Sequence, residues 1–196
     1  MYSSLFNEKK ASQAAAYLLY RSGPRMTMPV LKLLKLLYLA ERTSYEKYCE
    51  PLIGDRLVSM PHGPVLSLTY NFMNGELDSA EDGWDAWIGN RQGYDIGVNN
   101  PEQLHSPDVL LELSDSDIEI LDEVWNRFGH MNRFQIRDWT HRNCPEWRDP
   151  HGSMLPMTYG DLFRALEFSE AKSEKCIQHL ETLKEINSTF EEVLEL

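Results

Sequence analysis

The stretch from Val30 to Val65 constrains this chain more than any other. Its first half is almost continuously apolar, and between Val30 and Ala40 only Lys32 and Lys35 are charged. Val30, Leu33, Leu34, Leu37 and Tyr38 recur at helical spacing and make one apolar face. Leu31 and Leu36 lie off that face, so a second side is expected to be buried too. Thr27 is expected to cap the helix and Pro29 to occupy its first turn, where a missing N–H costs nothing. Pro51 prevents continuation much beyond Tyr48. At roughly 100° per residue, Lys32, Lys35, Arg42 and Glu46 fall on one narrow stripe, either a solvated edge or a charged strip facing a partner. Glu41 falls on the apolar side and needs a partner if buried, and the sequence does not name that partner.

The second half is a run of turn signals. Leu52 to Met60 reads as extended, with Gly54-Asp55 a turn or bulge. Gly63 allows a sharp turn, and Pro64 suits the first position of a new helix that Asn74-Gly75 stops. His62-Gly63-Pro64 is the most specific local feature. It serves geometry, with His62 bonded back to the preceding loop, or it forms a recognition surface beside a helix N-terminus.

Around this centre the pattern is mostly helical. Asn7 can cap a helix from Glu8 to about Arg21, closed by Gly23-Pro24. Trp84 and Trp87 share one face of a short helical turn, while Tyr94 to Val98 and Val109 to Leu113 read as short strands. Ser114 and Asp117 form a capping box before a helix whose apolar face is Ile118, Leu121, Val124, Trp125 and Phe128, closed by Gly129. A short helix from Arg133 to His141 is broken by Asn143-Cys144-Pro145, and Thr158 with Asp161 opens another over Tyr159 to Leu166. From Ser169 to Leu196, Cys176, Leu180, Leu183 and Ile186 keep helical spacing on an otherwise polar segment: a surface helix or a partner-binding arm. The fold expected is mainly α, a compact helical domain around a central buried helix with a small β element. One domain covers residues 1–171, and the helical tail 172–196 packs on it or extends it.

Composition narrows the function. A net charge of −12 repels a phosphate backbone, which disfavours nucleic acid as the primary partner, and it steers basic proteins toward the surface. No apolar run is long enough to cross a membrane, and the N-terminus has no basic segment followed by an apolar stretch, so no membrane or secretion role is expected. Three widely spaced cysteines, Cys49, Cys144 and Cys176, argue for a reducing, cytoplasmic setting and against a disulfide framework. His141, Cys144 and His151 make an irregular ligand set without a C-x-x-C, so no metal and no cofactor are expected. Cys144 beside a histidine invites a thiol-nucleophile reading, but proximity in sequence does not lower a thiol pKa. No phosphate-binding loop, dinucleotide fingerprint, zinc-protease motif or nucleophile elbow occurs. No catalytic residue is expected.

KLLYLAERTSYEKY followed by PLIGDRLVSMPHGPVLSLTY resembles the Panacea domain, the SocA-like antitoxin domain of bacteria and phages. The shared pieces are the K-L-L-Y-L-A helix, the P-[IL]-x-G-D turn and the H-G-P-V segment. Downstream, LSDSDIEILDEVWNRFG is similar to the family's L-S-x-x-[DE] helix, and DWTHRNCPEWRDPHGSMLPMTYGDLFRAL to its T-H…E-W segment and return helix. The likeness runs from about Lys10 to Ala171. One departure is Cys49 in YCEP, where the family commonly has a glycine, which makes a left-handed backbone there costlier. The resemblance implies a non-enzymatic antitoxin that binds a cognate protein toxin encoded nearby, or an adaptor that delivers it to a Clp-type protease. Toxin contacts are expected at Lys32, Lys35, Arg42, His62, Gly63 and Pro64, and on the tail after Ala171.

Overall fold

Helix α2, Val30–Tyr48, runs through the centre of the computed structural model, which describes residues 5–194. Its leucines leave it no solvated side over most of its length: Leu33, Leu36, Leu37, Tyr38 and Ala40 are fully buried. Helix α1, Glu8–Arg21, packs on it through an alanine-rich face, Ala11, Ala14, Ala15 and Ala16, whose small side chains permit close approach. Asn7 caps α1 by accepting from Lys10 N. Strand β1, Thr27–Pro29, precedes α2 and pairs with β4, Asp95–Gly97, as an antiparallel ribbon. Thr27 therefore lies in a strand and does not cap α2, and Pro29 is the boundary residue, with no side-chain cap bond.

After α2 the chain forms a hairpin of β2, Leu57–Met60, and β3, Gly63–Leu66. The expected helix start at Pro64 is overturned: Pro64 pairs with Ser59 in the sheet, and helix α3, Ser67–Met73, begins only after the strand. Pro61 and His62 form the turn, and Gly63 leaves it at φ +96. Pairing along the whole strand outweighs one proline's helix-start preference. Trp84–Trp87 forms the short helix α4, both tryptophans buried. The second expected strand, Val109 to Leu113, is absent. A 3-10 turn, Pro107–Val109, capped by Ser106, occupies part of that segment instead.

The rest follows its caps. Helix α5, Asp115–Phe128, opens on the Ser114/Asp117 capping box, and α6, Arg133–Asn143, on one formed by Asn132 and Gln135. Helix α7, Tyr159–Ala165, has the Thr158/Asp161 box. Strand β5, Leu155–Pro156, pairs with β2, giving a three-stranded order β3-β2-β5. Helix α8, Glu170–Leu194, closes the described chain, so the outermost residues of both expected units, 1–4 and 195–196, lie outside the described residues. The fold is mainly α with two small sheets.

The cysteine reading needs correction. Cys49 and Cys176 form a disulfide, with Cα atoms 5.3 Å apart, that ties the first half of α8 to the end of α2. Their separation in sequence hid a proximity that only α8's return creates. Cys49 also holds the left-handed conformation, φ 56 and ψ 23, that the missing glycine makes costly.

Candidate functional site

Three of the residues expected to meet a partner, Lys35, Gly63 and Pro64, converge on the interior. Lys35 is fully buried, and its Nζ donates to Pro64 O at 2.7 Å. Burial is the main cause that pushes its pKa down to about 7. Gly63 holds φ +96, which favours glycine, and a Cβ there would also crowd Lys35 Nζ, His141 Cδ2 and Thr140 Oγ1, each 3.0 Å away. The His141 ring stacks on Trp147, centroids 4.2 Å apart, and Trp147 Nε1 donates to Met60 O at 2.9 Å. The T-H…E-W segment therefore grips the His62–Pro64 turn from the α6 side while Lys35 holds it from α2.

A second buried cluster adjoins the first. Glu146 is 3% exposed and accepts from Tyr38 OH at 2.6 Å and Arg42 Nε at 2.7 Å. Burial and then Glu146 hold the Tyr38 phenol well above its ordinary pKa; burial opposes the charge of Arg42, but Glu146, with smaller contributions from Cys144 and Tyr38, leaves its pKa raised. Glu146 Oε2 is buried with no hydrogen-bond partner. Cys144 is buried beside this cluster, and burial pushes its thiol up to about 12, so it supplies no thiolate at neutral pH.

Glu41 finds its partners in the backbone. Its carboxylate accepts from Leu52 N at 3.1 Å, Ile53 N at 2.6 Å and Gly54 N at 2.9 Å. Burial raises its pKa to about 7 against the lowering effect of these amides. One residue on, buried Asp55 accepts from Leu68 N, Thr69 N and Thr69 Oγ1, and so caps α3 from outside that helix. The P-L-I-G-D turn is thus held at both ends by carboxylates.

Of the six expected contact residues, Lys35, Gly63 and Pro64 are brought together and buried. Arg42 lies on Glu146. Lys32 stands apart, its Nζ donating to Gly129 O at 2.6 Å and lying 5.5 Å from the Trp125 ring. His62 alone is exposed. Each cation of the stripe finds an acceptor on a segment far away in sequence, while Glu46 at its end is exposed. Among the described residues no group of three or more His, Cys, Asp or Glu side chains could hold a metal ion.

Sequence reasoning missed a groove of about 780 Å³ between β2, α3 and the start of α7, lined by Leu57, Met60, Tyr70, Met154, Met157 and Tyr159. The contributing segments lie on either side of the whole stretch from α4 to α6, so no local pattern announces it. Among the described residues no helix is long and apolar enough to cross a membrane.

No curated protein and no solved structure matches this chain. A family model described as "Antitoxin SocA-like, Panacea domain" matches residues 33–148, from the middle of the first turn of α2 to just past Trp147. That span contains both buried clusters, the P-L-I-G-D turn and the His62–Pro64 hairpin, and the chain belongs to the SocA-like antitoxin family, whose Panacea domain it carries.

Proposed function

We propose that this protein is a non-enzymatic antitoxin that neutralises a cognate protein toxin by binding it directly. The observation that carries the reading is the family match across more than half of the chain. Two features support it. The family's motif residues are spent on holding the domain together: Lys35, Glu41, Asp55, Gly63 and Glu146 all make internal contacts. The one thiol outside the disulfide is buried and protonated, which makes it a poor nucleophile. A net charge of −12 suits a basic toxin, of the kind that acts on RNA or nucleotides.

The test is co-expression with the product of the adjacent open reading frame under separate induction, read as growth and then as co-purification. The expected result is a neighbour toxic alone, rescued by this chain and purified with it at a fixed ratio. A neighbour that is harmless alone counts against the pairing. Rescue without a stable complex, with the neighbour vanishing in pulse-chase, favours the protease-adaptor role over direct neutralisation.

A further inference from the structure

The groove of about 780 Å³ between β2, α3 and the start of α7 carries charge of one sign. Much of its lining is apolar, with Leu57, Val58, Met60, Met154 and Met157. Arg56, just ahead of β2, and Lys184, on α8, bring two cations to it. Among the described residues neither takes part in an ion pair, and Lys184 Nζ lies 4.8 Å from the Tyr159 ring centre. Asp55 is the one acidic residue among those lining the groove. Its carboxylate is buried and already accepts from Leu68 N, Thr69 N and Thr69 Oγ1. The groove therefore presents apolar surface and positive charge, on a chain whose net charge is −12.

Its openness narrows the occupant further. Arg56 is exposed and Met154 is 54% exposed, so the groove is open to solvent beside both. A small ligand is normally enclosed over most of its surface. An open groove suits side chains carried on a partner's backbone. Three methionines, flexible and polarisable, adapt to apolar side chains of different shapes. A second copy of this chain would bring its own net charge of −12 against this one.

We propose that this groove receives a segment of a partner protein that carries apolar side chains and a carboxylate, the apolar side chains against the methionines and the carboxylate at Arg56 and Lys184. The proposal rests on the antitoxin reading, with the toxin as the partner. Charge complementarity selects this occupant: the cations lining the groove have no acid of their own to pair with. A toxin that is basic overall is drawn in by the net charge of the whole chain. Its acidic segment then fixes the orientation, because a carboxylate meets both cations only when that segment faces the groove.

The experiment uses the full chain and the product of the adjacent open reading frame. Binding is titrated for wild type, R56Q/K184Q, M154S and the control K175Q, an exposed lysine elsewhere on α8. Melting curves, sedimentation and native mass spectrometry of each chain alone accompany the titrations. Met154→benzoylphenylalanine, a photo-crosslinking substitution, maps the partner segment that reaches the groove. The expected result is that R56Q/K184Q and M154S melt like wild type but bind roughly 30-fold and roughly 5-fold more weakly. K175Q binds normally, and the crosslink lands on an apolar segment containing Asp or Glu. Equal binding by wild type and R56Q/K184Q, or a crosslink to a segment with no acidic residue, overturns the groove proposal and leaves the antitoxin reading standing. A wild-type chain that captures no product overturns both. If the chain alone is a dimer that R56Q/K184Q converts to monomer, the groove belongs to a second copy and the proposal is wrong. A small apolar acid that stays with wild type through purification, but not with R56Q/K184Q, assigns the groove to a small ligand and overturns the proposal as well.

Discussion

Gly63 and Lys35 show how little of a side chain's role its type announces. Lysine at a helix position reads as solvent-facing, because an ammonium is costly to bury. Lys35 is buried nonetheless, since Pro64 O takes its proton donor and burial lowers its pKa to about 7 from 10.5. Neither the acceptor nor the walls formed by Thr140 and His141 are visible from α2 alone. Gly63→Ala is expected to destabilise the protein by roughly 2–4 kcal/mol, since it combines a positive φ with crowding from three sides. Chemical denaturation of the variant checks this. Lys35 also predicts a pH dependence. Between pH 7 and 10.5 the unfolded chain still holds the proton that the folded chain has released, so the unfolded state binds more protons and stability rises with pH. Lys35→Met removes this group, and its melting temperature should lack the wild-type gain between pH 7 and 10. Glu41 slopes the other way: its folded pKa of about 7 against 4.5 means that stability falls as pH rises through that window.

Whole elements were more legible than the contacts among them. The boundaries of α1, α2 and α5 follow from apolar spacing and caps within a few residues, and both expected capping boxes form. Ser114→Ala should therefore cost about 1 kcal/mol, measurable as a lowered denaturation midpoint. What local signals missed is pairing. Thr27 carries cap chemistry and Pro64 carries helix-start chemistry, yet both are strand residues because Gly97 and Ser59 stand opposite them. The buried contact set was equally hidden, because Glu146 lies far along the chain from the Tyr38 and Arg42 it binds. The bond from Cys49 to Cys176 reaches further than either of these, with a sequence separation of 127. In the oxidised protein, Cys176→Ser should lower stability by about 2–4 kcal/mol and loosen α8 first, seen as faster amide exchange across its first turns.

At the scale of the whole molecule, charge governs encounter and topology governs assembly. With a net charge of −12, association with a basic toxin should slow as salt rises, most steeply below about 0.15 M, where the Debye length exceeds about 8 Å. Stopped-flow binding at graded ionic strength measures this. The three-stranded sheet adds a constraint of another kind. Strand β2 pairs on one side with β3, its immediate neighbour in the chain, and on the other with β5, which follows α6. During synthesis the hairpin can close as soon as it leaves the ribosome, but its second edge waits until nearly the whole intervening domain has emerged. For that interval the nascent chain carries an unpaired strand edge bearing Leu57 and Val58, a template for joining another nascent chain. Chains truncated before Leu155 keep that edge open permanently, so they should reach the insoluble fraction or chaperones far more than the full chain does, and slowing translation ahead of β5 should have the same effect.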